Sequence, residues 1–268
     1  MSKQIDYLLM SLILPFSKIH EPEKRLVGNK AYHLAQLQQR GIPIPKGFVI
    51  SAEAFSRFLH SESTRQIART LSEFKPSSQR FLTEISQQLQ TAVARAEFDF
   101  ELKHELLSAY EKLNASLLHS PSVLLKPSSN TQLSIPVTTH PITGDAQFFE
   151  QIKYIWAQCL NKRNLHSFVS RQFPCAIIVQ EFVVPEVSGY IHTTDPESKK
   201  HYSIHAIWDL PQSITQHNEG ADYYRVDPAQ LSVVSTEKRL QHKSLILYHG
   251  SYTPPCSFLF TTNKKEAT

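Results

Sequence analysis

LVGNKAYHLAQLQQRGIPIPKGFVIS, residues Leu26–Ser51, decides the reading of this 268-residue chain. Gly28-Asn29-Lys30 reads as a turn at the head of a helix, where the first backbone N–H groups and the positive end of the helix dipole suit an anion. Lys30 falls in the first helical turn, where that dipole mildly disfavours a cation. Two explanations stand for it: a phosphate held between lysine and helix end, or a solvated lysine on a well-capped helix. Ala31, Leu34, Ala35 and Leu37 form a narrow apolar stripe at helical spacing. Gly41 then caps the helix, and Pro43 and Pro45 stop its continuation. Phe48-Val49-Ile50 reads as a short strand, and Ser51 caps a second helix bearing Phe55, Phe58 and Leu59, with Glu53 in its first turn.

Composition agrees with a protein that buries a core. Hydrophobic residues make up 41% of the chain, enough for a core divided between two subdomains. The net charge of +4 is carried by scattered lysines and arginines, apart from short groups such as Lys24-Arg25 and Lys264-Lys265. That is not the clustered basic face of a nucleic-acid binder. Cys159, Cys175 and Cys256 are unevenly spaced, which argues against a disulfide framework or a zinc site, and Cys175 reads as a small buried residue. Tyr7–Phe16 is apolar but too short to cross a bilayer, and it follows Asp6 rather than a basic segment, so neither a membrane span nor a signal peptide is expected. A reducing cytoplasm is the default compartment.

Outward from the opening segment the texture changes twice. Phe81, Ile85, Leu89 and Val93 step by four, and Leu102, Leu106, Leu107, Tyr110 and Leu113 recur at helical spacing, which predicts two packing helices. From Val123 the pattern turns to strands over Val123–Leu125, Cys175–Val179, Gly189–Thr194, Tyr202–Trp208 and Tyr223–Val226. Helices are expected over Asp145–Leu160 and about Asn164–Arg171. The fold class is therefore α/β. The expected division is an N-terminal lobe with a helical insert over 1–120, a C-terminal lobe over 121–250, and a loose tail over 251–268.

The opening segment resembles the start of the nucleotide-binding domain of the phosphoenolpyruvate synthase and pyruvate phosphate dikinase family, whose members read VGGKAANLGEL…GIPVPPGFVVT. Later segments follow in the family's order. Val179–Val183 (VQEFV) is similar to VQRMV, Ser188–Pro196 (SGYIHTTDP) to SGVAFTVDP, His205–Gln212 (HAIWDLPQ) to EAAWGLGE, and Asp222–Asp227 (DYYRVD) to DRYVVD. The resemblance covers about 26–59 and 123–227. It implies the ATP-grasp fold, with ATP between two lobes containing helices and mixed β-sheets. It also implies that Lys30 reaches the nucleotide phosphates, while the segment Gln180-Glu181-Phe182-Val183 lines the base with backbone groups.

Other family elements are changed. Members carry VRSSA, whose arginine forks onto phosphate oxygens. Here the run is Leu125-Lys126-Pro127-Ser128-Ser129, with proline at the arginine's place and Lys126 one residue back, on the opposite face of a strand. The glycine-bearing phosphate loop corresponds to 130–143, which holds no glycine. Only seven glycines occur in the chain, well under the roughly 7% typical of proteins, and the missing ones are those of the phosphate loop and of WGLGE. The two glutamates that the family offers to magnesium are His205 and Gln212 here, with Asp195, Asp209 and Glu186 the remaining carboxylates nearby. Magnesium wants hard oxygen ligands, and imidazole suits zinc better. His192, His201 and His205 lack tight ligand spacing, so a cleft or surface histidine is the expectation and Mg2+ is doubtful.

The sequence given carries neither the family's phosphohistidine domain nor its pyruvate-binding barrel, so the complete synthase reaction is not expected of it. Three readings follow. The first is a degenerate nucleotide-binding domain that holds ATP or ADP weakly through Lys30, Lys126 and residues 180–183, without turnover and with no catalytic residue. The second is a nucleotide-free interaction scaffold of the same shape. The third is an active phosphotransferase half working with a histidine-domain protein in trans. Retention of Lys30 favours the first over the second, and loss of the glutamates places the third last.

Overall fold

Phe48-Val49-Ile50 forms the strand its sequence promises: β2, Gly47–Ile50, sits inside a four-stranded antiparallel sheet ordered β1-β2-β4-β3. The computed structural model describes residues 12–73, 79–115, 122–135, 140–165, 175–183, 185–195, 199–208 and 220–239. They belong to two units, Met1–Phe182 and Val183–Thr268.

In the first unit the elements run β1 (Ile13–Pro15), α1 (Lys24–Gln39), β2, α2 (Ala52–His60), α3 (Arg65–Glu73), α4 (Gln79–Arg95), α5 (Phe100–Ala115), β3 (Val123–Ser128), α6 (Asp145–Cys159), α7 (Lys162–Leu165) and β4 (Ala176–Glu181). The run AIIVQE of β4 is apolar on both faces because both are covered. Ala176 and Ile178 meet α1, while Ile177 and Val179 join the larger core built with α2, α4, α5 and α6. Trp156 of α6 centres that core, its ring 5.1 Å from Phe55 and 5.0 Å from Phe58. Tyr110 stacks on Phe148 at 4.4 Å nearby.

The second unit holds β5 (Val187–His192), β6 (Tyr202–Trp208), β7 (Asp222–Val226) and β8 (Val233–Glu237), a four-stranded meander. The α/β class stands as expected, with antiparallel rather than mixed pairing throughout both sheets.

Several details differ from the sequence reading. The units part after Phe182 and not after residue 120, because β3 and β4 complete the sheet that β1 and β2 begin. The insert contains α3 as well as the two expected helices. On α4 the buried line runs through Leu82, Leu89 and Val93 while Phe81 is exposed, since a stride of four drifts off a 3.6-residue turn. Ser51 stands before α2 without a side-chain capping bond; its amide donates to Leu12 and its carbonyl accepts from Ala54. Cys159, ending α6, and Cys175, just before β4, are paired as a disulfide with sulfurs 2.20 Å apart. Spacing in sequence carried no hint of it, because a helix end and a strand start meet only once the fold is made. Strand β8 had no sequence signal strong enough to predict it. The expectations for 166–174, for Asp209 and Gln212, and for the tail lie outside the described residues.

Candidate functional site

Gly28 is the geometric key to the head of α1. Its φ of +78° breaks the helix there, and regular turns begin at Asn29. The kink brings the chain flat against the end of β3: a Cβ on Gly28 would lie 2.4 Å from the Ser129 nitrogen and 2.7 Å from the Ser128 Oγ. The Asn29 amide donates to the Ser129 carbonyl at 3.2 Å, and the Ala31 amide donates to the Ser128 hydroxyl at 3.1 Å. Asn130 Nδ2 adds a bond to the Arg25 carbonyl. The helix end is therefore not the open row of donors its sequence suggested. Two of its amides are satisfied by β3, which acts as a capping strand from far along the chain.

The same strand places Lys126. Along β3, Val123, Leu125 and Pro127 face the larger core, opposite Glu181, Val179 and Ile177 of β4. Lys126 pairs with Ile178 and shares with Ser128 the face that α1 covers. Proline is tolerated at 127 because β3 is the edge strand and needs no ladder donor there. Position 127 thus points into a buried core, while position 126 points to the side of Lys30. Lys126 is half-buried, and its pKa is pushed down first by burial and then by the charge of Lys30. Among the described residues neither lysine has a carboxylate partner.

At the far end of β4, Gln180 is buried, with Nε2 3.5 Å from the Pro45 carbonyl. The Glu181 amide donates to the Lys46 carbonyl and the Phe182 amide to that of Ser122. These two donors are spoken for by the fold, and Val183 beyond them is exposed.

The second unit has its own cluster. Tyr190, His205 and Tyr223 lie opposite one another across β5, β6 and β7. His205 stacks on Tyr190 at 4.5 Å and meets Tyr223 edge-on at 4.9 Å, with His192 6.4 Å away. Burial lowers the His205 pKa, and His192 and Arg239 lower it further against the pull of Asp195. Asp195 is buried and accepts from Arg225 Nε at 2.9 Å; Arg225 also lies over the Tyr223 ring. Along β6, Ser203 and Ile207 are buried while Trp208 is exposed. Among the described residues no group of three or more His, Cys, Asp or Glu side chains could hold a metal ion, which leaves the His192, His201 and His205 set without support.

Sequence reasoning brought forward Lys30, Lys126, His205 and residues 180–183. It missed Ser128, Tyr190, Tyr223 and Arg225. Only Ser128 had a signal, as part of the Ser-Ser run at the family's VRSSA motif.

The comparisons with known proteins agree with this architecture. Residues 24–255 match the family described as pyruvate phosphate dikinase, AMP/ATP-binding domain. The chain is 23% identical over 252 residues to a rifampicin phosphotransferase of Bacillus subtilis (strain 168), covering 90% of this chain and 29% of that protein. It is 25% identical over 256 residues to the phosphoenolpyruvate synthase of Aeropyrum pernix, covering 89% and 31%. A probable phosphoenolpyruvate synthase of Archaeoglobus fulgidus is 24% identical over 250 residues, at 88% and 33% coverage. The chain thus spans about a third of the length of the relatives it matches. With the family match covering most of its length, this chain belongs to the pyruvate phosphate dikinase AMP/ATP-binding domain family.

Proposed function

We propose that the chain is a degenerate nucleotide-binding domain that holds ATP or ADP weakly, with Lys30 and Lys126 on the phosphates, and does not complete phosphoryl transfer. The observation that carries this reading is the convergence of Lys30 and Lys126 on one side of β3, with no described carboxylate to neutralise them. Two cations held together, one of them half-buried, gain most from a polyanionic ligand. Lys126 takes over the charge of the family's arginine, though as a point charge rather than a planar fork, which fits weaker binding. Residues Gln180, Glu181, Phe182 and Val183 meet the base side, through groups other than the two engaged amides.

Absence of turnover rests on the replaced elements. Phosphoryl transfer depends on positioning and on neutralising charge around the moving group. Lysine at 126 in place of the arginine's planar fork, a glycine-free 130–143 and His205 in the place of a glutamate each remove part of that. The test is a binding titration with ATP and ADP alongside a phosphate-release assay. Saturable heat with no release above the no-protein control supports the reading, and steady release that Lys30→Ala abolishes contradicts it.

A second reading, the nucleotide-free interaction scaffold, is favoured by one observation. The Asn29, Ala31, Glu181 and Phe182 amides are all engaged within the protein. It predicts no thermal shift with any nucleotide. Assignment to the cytoplasm remains part of the proposal; what the structure offers is that no described helix is long and apolar enough to cross a membrane.

A further inference from the structure

We propose that the Cys159–Cys175 pair is a redox switch: as a disulfide it holds the stretch 128–134 that follows Lys126, and as two thiols it loosens that stretch. The effect on nucleotide affinity rests on the nucleotide reading above; the effect on 128–134 does not.

The bond lies wholly within the first unit and joins a pinned point to a strand start. Cys159 is the last residue of α6, three residues after Trp156, and Cys175 immediately precedes β4. Both cysteines are buried in the larger core. The helix side is held from elsewhere. Ser86 of α4 donates to the Leu160 carbonyl at 3.0 Å, and Asn164 Nδ2 donates to the Gln158 carbonyl at 3.1 Å. The disulfide therefore ties the start of β4 to a fixed end of α6.

Two paths lead from that bond to 128–134. Along β4, Cys175 runs straight into Ala176, which pairs with Ser128, and the Ser128 hydroxyl accepts from the Ala31 amide. The second path starts inside the loop that the disulfide closes between residues 16 apart in sequence, where Asn161 and Asn164 lie. Asn164 Oδ1 accepts from the Ser134 amide at 2.9 Å, and the Nδ2 groups of Asn161 and Asn164 donate to the Ser134 carbonyl. One path ends on the cap of α1. The other ends on the stretch that stands where the family resemblance places the phosphate loop.

Reduction is compatible with the fold. A thiol packs in a core as a small apolar group, and the hydrogen bonds and aromatic core around the pair do not depend on the S–S bond. What reduction removes is the closure of the loop, and with it the constraint on local opening. Two molecules of glutathione, representing small thiols, balance the step. The thiolate of the first attacks one sulfur and releases the other cysteine, which takes up a proton. The second attacks the resulting mixed disulfide, releases the remaining cysteine with a proton, and leaves as oxidised glutathione. Oxidised glutathione remakes the bond by the reverse steps. Because both cysteines are buried, exchange in either direction passes through local opening of this corner.

The test uses the whole chain carrying Cys256→Ser, so that only this pair reports. It is equilibrated over a range of reduced-to-oxidised glutathione ratios, and its thiols are alkylated in denaturant and counted by mass. The two thiols are expected to appear together as the ratio rises. In the reduced state the Ala31 and Ser134 amides should exchange at least about tenfold faster, and the melt should stay cooperative but fall by about 5 °C. ATP affinity should drop at least about threefold. Cys175→Ala should match the reduced chain in both media and ignore glutathione. A pair that stays bonded, or stays reduced, at every ratio overturns the proposal. Equal exchange at Ala31 and Ser134 in the two states overturns it as well. So does loss of the cooperative melt on reduction, which would make the bond a structural staple. Absence of ATP binding in both states would remove the nucleotide reading, and amide exchange would then decide the switch by itself.

Discussion

The Ser128 hydroxyl accepts a hydrogen bond from the Ala31 amide at 3.1 Å, tying together residues 97 apart in sequence. This single contact makes the end of β3 the cap of α1, and so couples the strand that carries Lys126 to the helix that carries Lys30. Ser128→Ala leaves a buried amide without its acceptor. The expected cost is about 1–2 kcal/mol of stability, read as a lowered urea midpoint at unchanged slope. ATP affinity falls with it, because both lysines lose their common support. Ser129→Ala, which leaves the backbone bond from Asn29 intact, is the control and stays near wild type.

Gly28→Ala is expected to be harsher. A side chain there meets the Ser129 nitrogen at 2.4 Å and must also hold φ near +78°. Left-handed strain alone costs about 1–3 kcal/mol, and the clash with backbone adds to it. The measurement is soluble yield and melting temperature, with a loss of at least about 5 °C expected. A variant that melts within a degree of wild type would mean that the turn is not seated on β3 as described.

Lys126→Met separates stability from binding. The pKa of Lys126 in the folded chain lies below its ordinary value of 10.5, so the unfolded chain holds that proton more tightly. The associated stability is full only above about pH 10.5 and is lost as pH falls through the folded pKa, so at pH 7 the charge works against the apo protein. Replacing it should raise the apo melting temperature by roughly 1–3 °C while weakening ATP binding about tenfold. A lower melting temperature with unchanged affinity would remove Lys126 from the site.

The His205 row predicts an acid sensitivity. The His205 pKa is held below its ordinary 6.5, by burial first and by His192 second. The unfolded state therefore binds more protons, and stability is full above about pH 6.5 and declines as pH falls through the lowered value. Urea midpoints at pH 7.5, 6 and 5 should fall more steeply for wild type than for His205→Gln. Parallel curves would place the acid sensitivity elsewhere.

The legible parts of this chain were those fixed by local chemistry. Gly28 marks the kink from which the regular turns of α1 run, Gly41 and the two prolines after it follow its end as in the sequence reading, and Phe48–Ile50 could be read from its apolar run. Lys30 and His205 stood out as candidates because they hold fixed offsets in segments resembling the family's motifs. What escaped the sequence were relations across long separations. The side on which Lys126 lies depends on its register with Ile178, set by strand pairing that no local pattern encodes. The Cys159–Cys175 pair and the Asp195–Arg225 pair arise the same way, from elements that meet only in the folded chain. The unit boundary was misplaced because β3 and β4, late in sequence, belong to the sheet that β1 opens.

The most direct measurement is titration of ATP, followed by heat and by melting temperature, into the wild-type chain and into the Lys30→Ala, Lys126→Ala double variant. A ligand that binds only the folded state adds about 2.7 kcal/mol of stability at a hundredfold excess over Kd, so the two readouts must agree. The account predicts saturable binding and a raised melting temperature for wild type, with both lost or weakened at least about tenfold in a double variant that still melts cooperatively. Equal affinity in the two proteins, or no heat and no shift in wild type, would contradict it.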